Sequence, residues 1–171
     1  MSSISDKQID FFIGNMNEFL DLTKHIINET FENYPGVDKK NSLSITPDLI
    51  DGIVLILSFC DKNKKSEILI QAFEKIYPFW KDIYDENDSF LIEHINSLFP
   101  ENGYAKDICF FFGANSEAKK YVTDPEILED LWNLLKGMYK VSLKYIYYSN
   151  HSIKNKIVDF DKQISIWKIQ L

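Results

Sequence analysis

The residues best suited to chemistry in this sequence are three histidines, His25, His94 and His151, and two cysteines. Asp21 and Glu29 each lie four positions from His25, so a helix would place all three side chains along one face. A metal site needs three or four converging ligands, and the sequence has no His-Glu-x-x-His, Glu-x-x-His or paired-cysteine motif. We therefore interpret His25 as part of a solvated helix face. A metal-dependent or hydrolytic enzyme that uses His25 or His94 is kept as an alternative function.

Neither cysteine is placed for nucleophilic chemistry. Cys60 falls at the end of the second predicted helix, where the negative end of the helix dipole disfavours a thiolate. Cys109 lies in an apolar run beside Phe110 and Phe111, which keeps a thiol protonated. The six glycines are isolated from one another, so the sequence has neither a phosphate-binding glycine loop nor a Gly-x-Ser-x-Gly nucleophile elbow. We expect no catalytic residues, no cofactor, no metal and no enzymatic activity.

Charge is distributed unevenly along the chain. The net charge is −7, yet residues 136–171 carry seven lysines against two acidic residues. These lysines are interleaved with aromatic residues such as Tyr145, Tyr148 and Trp167. Two interpretations stay open: this basic segment folds onto the acidic body, or it contacts an acidic partner. Nucleic acid is not an expected partner, because the overall negative charge repels it and there is no arginine to recognise phosphate or guanine in bidentate fashion.

Length and composition indicate one globular domain spanning residues 1–171. The chain is 45% hydrophobic and 15% aromatic, which excludes a disordered protein. The longest apolar run, Ile53 to Cys60, is far shorter than the ~20 residues of a membrane-spanning helix, and the first residues lack the pattern of a secretory signal. We expect a cytoplasmic protein with no membrane partner. Residue types with AT-rich codons are abundant, which is typical of the genome of a large DNA virus, a low-GC bacterium or phage, or an AT-rich protist. A viral protein would act in the host cytosol or the virion.

Apolar residues at steps of three and four predict helices through most of the sequence. The first helix runs from Ile9 to Tyr34, with Ser5 or Asp6 as its cap. Thr46 caps the second helix, which has Pro47 at its first position. The remaining predicted elements are a third helix from Ser66 that breaks at Pro78, helices over 90–99 and 104–112, a long helix from Thr123 to about Ser149, and a final segment, 152–171, that is a docking helix or a strand.

The second helix is apolar nearly all round, from Leu49 to Cys60, which is typical of a helix surrounded by others. We therefore expect it in the centre of the fold, together with the long helix that ends near Ser149. The predicted fold is an all-α single domain, a bundle or orthogonal array of six to seven helices around this central apolar helix. The expected core residues are Phe12, Phe19, Ile53, Leu57, Phe73, Ile95, Leu131, Leu135, Met138 and Tyr145.

The missing catalytic motifs and the abundant aromatic residues together favour a non-enzymatic protein–protein interaction protein, such as a viral or phage assembly component or an inhibitor of a host system. Its expected partner is a protein, and the sequence leaves the oligomeric state open. The predicted partner contact is the apolar end of the chain, formed by Ile164, Ile166, Trp167, Ile169 and Leu171. One alternative is an acidic nucleic-acid mimic that blocks the cationic groove of a nuclease or polymerase, which requires carboxylates aligned in rows on one face.

Overall fold

The computed structural model describes residues 2–33, 46–87, 90 and 125–171. These ranges are predominantly α-helical and contain no strand, so the predicted all-α class is confirmed for them. If α4 is counted as the continuation of α3, the described residues form five α-helices, whereas six to seven were expected for the whole chain. The predicted helices over 90–99 and 104–112 lie outside the described residues, apart from Phe90. The elements are α1 (Ile4–Asn33), α2 (Pro47–Phe59), α3 (Lys62–Ile76), a 3-10 turn (Tyr77–Phe79), α4 (Trp80–Tyr84), α5 (Pro125–Ser149), a second 3-10 segment (Ser152–Lys156) and α6 (Phe160–Ile166).

Side-chain caps fix where the first three helices begin. In a reciprocal capping box, the Ser3 hydroxyl accepts a hydrogen bond from the Asp6 backbone N–H at 3.0 Å, and the Asp6 carboxylate accepts one from the Ser3 N–H at 3.1 Å. The cap of α1 is therefore Ser3, not Ser5 or Asp6. Thr46 caps α2 as predicted, by accepting a hydrogen bond from the backbone N–H of the third helical residue. The carboxylate of Asp61 does the same for α3, so that helix begins four residues before the expected Ser66.

The centre of the described fold is the contact between the two longest helices, α1 and α5. Asn15 of α1 lies beside Gly137 of α5, whereas Asp21 and His25 share a groove with Asp130, so the two helices run antiparallel. The two helices lie close together at Gly137, since a Cβ built there would lie 3.1 Å from the Asn15 side-chain nitrogen, closer than an ordinary van der Waals contact. The prediction that the long helix is central is confirmed.

Most of the expected core residues are buried. Phe19 and Ile53 are partly buried and pack against the core, while Ile95 lies outside the described residues. The buried residues include Trp132 and Tyr139, which the apolar periodicity did not single out. The expected core residues that are buried are Phe12, Leu57, Phe73, Leu131, Leu135, Met138 and Tyr145.

Among the described elements helix α2 lies at the edge and not at the centre, contrary to the prediction. It buries Ile50 and Leu57 but leaves Leu55, Ile56 and Phe59 exposed to solvent. It lies along α1, where Lys24 of α1 forms an ion pair with an α2 carboxylate at 2.8 Å. An apolar composition all round a helix shows how much surface it could bury. The number of neighbouring helices decides how much it does bury, and among the described elements α2 packs chiefly on α1.

The chain end folds back onto α5 as a short helix, so the strand alternative for the final segment is wrong. The Tyr139 hydroxyl donates a hydrogen bond to the side-chain oxygen of Gln163, and the Gln163 amide donates one to the backbone oxygen of Val158 at 2.8 Å. Burial raises the pKa of Tyr139, so its hydroxyl remains a protonated donor. Trp167 packs on Tyr139, with ring centroids 4.9 Å apart, and edge-on against Tyr84 at 5.0 Å.

Candidate functional site

Helix α2 presents three large apolar side chains to solvent: Leu55, Ile56 and Phe59, which we call the α2 apolar patch. Their exposed fractions are 57%, 65% and 81%. Spacings of one, three and four residues put them on one side of the helix. The patch is built on an anchored element, because Ile50 and Leu57 of the same helix are buried. Single exposed hydrophobic residues are ordinary, but adjacent ones on a rigid helix are typical of an interaction site.

The sequence reasoning missed this patch because it counted Leu55 and Ile56 as part of a surrounded helix. The available signal was the width of the apolar surface. A helix that packs on one neighbour needs a stripe about 100° wide, and α2 carries apolar residues well beyond that. Phe59 gave a further signal, since it stands one residue before Cys60 at the helix end, where few neighbours can cover a large ring.

A groove of about 550 Å³ runs between α1 and α5. It is the setting of His25, whose Nε2 atom lies 3.2 Å from Glu29 Oε1 on the exposed side of α1. Three carboxylates contribute to the lining, and they come from both helices. We call this feature the α1–α5 groove; its lining residues are Asn15, Glu18, Asp21, Leu22, His25, Asp130, Asn133 and Leu134.

The described residues contain no group of three or more His, Cys, Asp or Glu side chains arranged to hold a metal ion. The one other histidine named for enzymatic chemistry, His94, lies outside the described residues, as does Cys109. Cys60 is half-buried at the end of α2, where its thiol donates a hydrogen bond to the backbone oxygen of Ile56 at 3.4 Å.

The five apolar residues at the chain end do not form one exposed surface. Trp167 is 3% exposed and belongs to the core, whereas Leu171 is 55% exposed. Ile164, Ile166 and Ile169 are half-buried. A partner that contacted this segment could reach Leu171 and the outer atoms of the three isoleucines, but not the indole ring without displacing it.

The basic segment makes contacts within the chain at several lysines. Lys136 forms an ion pair with Glu86, which follows α4, with its Nζ atom 2.8 Å from Oε1. Lys140 and Lys154 lie near aromatic rings, at 6.0 Å from the centroid of Trp167 and 5.2 Å from that of Phe160. The Lys136–Glu86 ion pair joins the basic segment to the acidic body, in agreement with one of the two interpretations of its charge, whereas the two ring contacts lie within the segment.

The chain matched no model of a known protein family, no curated protein and no solved structure. Within the described ranges no helix combines the length and the hydrophobicity needed to cross a bilayer. Three surfaces of the described structure are candidates for a functional site: the α2 apolar patch, the α1–α5 groove and the basic chain end.

Proposed function

We propose that this chain is a non-enzymatic protein–protein interaction protein that binds its partner through the α2 apolar patch. The observation that carries the proposal is the exposure of Leu55, Ile56 and Phe59 on a helix that is otherwise anchored in the fold. Covering apolar area stabilises a complex by about 25 cal/mol per Å² before the entropic costs of association. Phe59 is the most exposed of the three and is suited to act as a ring anchor in a partner pocket.

The expected occupant of the patch is a different protein that offers an apolar groove with a basic rim. The net charge of −7 favours this choice, because two copies of the chain would repel each other at long range whereas a basic rim would attract one copy. In this proposal the chain is a cytoplasmic, single-domain array of six to seven helices. It would act as a viral or phage assembly component or as an inhibitor of a host system.

The chain end is a second contact in the same proposal. Leu171 is exposed, and Ile164, Ile166 and Ile169 are half-buried beside it in sequence. Trp167 would act there indirectly, because its buried ring holds the segment in place. The two contacts are separable by mutation, since one lies on α2 and the other follows α6.

The test compares affinity purification from the native source with two tagged proteins. One carries Leu55→Ser, Ile56→Ser and Phe59→Ser together, and the control carries Val158→Ser, which changes a side chain that is 73% exposed outside the patch. We expect the partner captured by the unmodified protein to be retained by the control and lost by the triple variant. We also expect its Kd, measured by calorimetry with the purified partner, to rise at least about a hundred-fold in the triple variant.

Capture of the same proteins by the triple variant would overturn the proposal. Light scattering during size-exclusion chromatography measures the molar mass and so tests whether a second copy of the chain occupies the patch. A dimer of the unmodified protein that becomes a monomer in the triple variant would show that the patch binds a second copy, and would replace the proposed partner. Matching unfolding midpoints for all three proteins guard against loss of binding through loss of fold.

A second candidate function, an acidic mimic of nucleic acid, is favoured by the carboxylates of α1 and the groove. Asp10, Glu18, Asp21 and Glu29 fall within about 100° around the axis of α1, since successive residues turn by about 100°. Asp130 adds a carboxylate from α5 on the other side of the groove. Such a row could occupy a cationic groove that otherwise binds phosphates.

The test of this candidate is displacement of DNA. The protein is added to a nuclease or polymerase of the same source bound to fluorescent duplex DNA, and anisotropy reports release. Release that is lost when Glu18, Asp21 and Asp130 are changed to lysine would support the mimic. Absence of release, or equal release by the charge-reversed variant, would dismiss it.

A further inference from the structure

A notch of about 310 Å³ lies where the chain end meets α4 and α5. It is separate from the α2 apolar patch and the α1–α5 groove, and it shares only Ile166 and Trp167 with the proposed contact at the chain end. Its lining combines three lysines with two aromatic rings. We call it the lysine notch; its residues are Tyr84, Lys136, Lys140, Ile166, Trp167 and Lys168.

Two elements bring the three lysines together. Lys136 and Lys140 are one turn apart on α5, so they project from the same side of that helix. Lys168 reaches the notch through the turn that ends α6, where its N–H donates to the Ser165 oxygen at 3.0 Å and the Ile169 N–H donates to the Ile164 oxygen at 3.1 Å. This turn requires the left-handed backbone of Lys168, with φ of 52°, a position at which glycine is usual.

The positive charge of the notch is only partly compensated. Lys136 has Glu86 at 2.8 Å, but no carboxylate lies within ion-pair distance of Lys140 or Lys168 among the described residues. Lys140 has instead the ring of Trp167, at 6.0 Å from the centroid. Within the described part of the chain, Lys140 and Lys168 therefore line a common space without a fixed counter-ion.

Trp167 adds a hydrogen-bond donor without an acceptor. The residue is 3% exposed, and its indole Nε1 makes no hydrogen bond within the described part of the chain. A buried polar group without a partner is unusual and calls for a reason. Because Trp167 lines the notch, an acceptor oxygen bound beside the lysines would become the partner of this donor if the ring turned toward it. Tyr84, which is exposed and perpendicular to the Trp167 ring, lines the same opening.

We propose that the lysine notch binds a phosphate group. Lysine ammonium groups bind phosphate as point charges, and the notch volume is at the lower end of small-molecule sites. The phosphate could be free or part of a nucleotide, whose base would then lie on Tyr84. The notch takes one such group and does not extend into a track for a nucleic-acid strand, in keeping with the negative charge of the whole chain.

The experiment follows the indole N–H signals of ¹⁵N-labelled full-length protein by NMR. The chain has three tryptophans, and Trp80→Phe and Trp132→Phe variants assign the Trp167 signal without changing the notch. Inorganic phosphate, adenosine monophosphate and adenosine are titrated separately at about 0.15 M ionic strength. We expect a saturable shift of the Trp167 signal with both phosphate compounds and none with adenosine. Tighter binding of the nucleotide than of inorganic phosphate would identify a nucleotide site, and the reverse a site for free phosphate.

Matched lysine variants complete the test. Lys140→Ala and Lys168→Ala each remove one uncompensated charge, and we expect each to weaken binding roughly ten-fold, as for a charge-assisted hydrogen bond. Lys156→Ala, which changes an exposed lysine outside the notch, should leave binding unchanged. A Trp167 signal that does not move with either phosphate compound would overturn the proposal. Equal binding by the protein with both notch lysines replaced would overturn it as well.

Discussion

Helix α2 and the chain end both carry large apolar side chains, but the two regions differ in how far these side chains are exposed to solvent. In α2, Leu55 and Phe59 are exposed although nearly every neighbour in the sequence is apolar. At the chain end Trp167 is buried, although apolar residues there alternate with Ser165, Lys168 and Gln170. The difference teaches that partners in space, rather than local apolar content, decide exposure. Trp167 has Tyr84 and Tyr139 to pack on, whereas the outer side of α2 has no such rings around it among the described residues.

The two regions also differ in how polar groups hold them. The chain end is fixed by a buried hydrogen bond between Tyr139 and Gln163, and Gln163 is only 1% exposed. The α2 region is fixed by ion pairs at its edges, Lys24 with Asp51 and Lys62 with Asp6, whose side chains are partly exposed. A buried hydrogen bond is costly to break, because the remaining group loses its partner away from water. An exposed ion pair contributes little. We therefore expect larger losses of stability from changes at buried contacts than from changes at exposed ion pairs.

The largest effect is expected from Trp167→Ala. It removes a buried ring that contacts two aromatic side chains, so we expect the free energy of unfolding to fall by about 3–5 kcal/mol. Urea denaturation followed by circular dichroism measures it. Trp167→Phe is the control, since it keeps an aromatic ring in the site but removes the unpartnered N–H together with the rest of the five-membered ring. A loss below about 1 kcal/mol for Trp167→Ala would show that the ring is a partner contact rather than part of the core.

Next in size is the difference between two leucines of one helix. Leu57→Ala removes a buried side chain and should lower the free energy of unfolding by about 2–5 kcal/mol. Leu55→Ala, two positions earlier, removes a side chain that is 57% exposed and should change it by no more than about 0.5 kcal/mol. Both substitutions place alanine in the same helix, so helix propensity cancels. Equal losses would mean that Leu55 is covered in solution and that the α2 apolar patch does not exist as a free surface.

A smaller loss is expected when the buried hydrogen bond is broken. Tyr139→Phe keeps the ring contacts with Trp167 and Phe73 but leaves the Gln163 oxygen without its donor. We expect a loss of about 1–3 kcal/mol. Tyr147→Phe, which changes an exposed ring in the same helix, should cost less than about 0.5 kcal/mol. If the two variants are equally stable, water has replaced the Tyr139 hydroxyl and the chain end is held by apolar contact alone.

Much of the fold followed from the sequence because helix signals are local. The Thr46–Pro47 start, the break at Pro78 and the long helix to Ser149 depend on caps, proline geometry and apolar spacing, all of which lie within a few residues. The position of α2 depends on which helices surround it, and that is not a local property. The same holds for the lysine notch, since Lys140 and Lys168 are distant in sequence and meet only because α6 folds back onto α5.

The smallest effect is a pH dependence at the exposed edge of the α2 region. The pKa of Asp6 is lowered from its ordinary 3.8, first by the hydrogen bond from the Ser3 backbone N–H and next by the Lys62 ammonium. Since the unfolded chain then binds the proton more tightly, the contribution of Asp6 to stability is complete above the unfolded pKa. It is lost as the pH falls through the lower folded value. We expect the stability difference between the unmodified protein and Asp6→Asn to shrink as the pH is lowered from about 6 to about 2.

Urea denaturation at each pH measures that difference, and an NMR titration of the Asp6 carboxyl separates its two causes. Lys62→Ala should raise the pKa of Asp6 only part of the way to its ordinary value, because the capping box with Ser3 remains. If the pKa of Asp6 rose fully to its ordinary value in Lys62→Ala, the shift would be due to the ion pair. The same ion pair would then anchor the α2–α3 junction to α1. If the pKa of Asp6 rose only slightly in Lys62→Ala, the junction would be held by the apolar contacts of Leu57 and Ile50. In that case the exposed edge of α2 is fixed by the side that is buried, and removing its ion pairs would leave the α2 apolar patch in place.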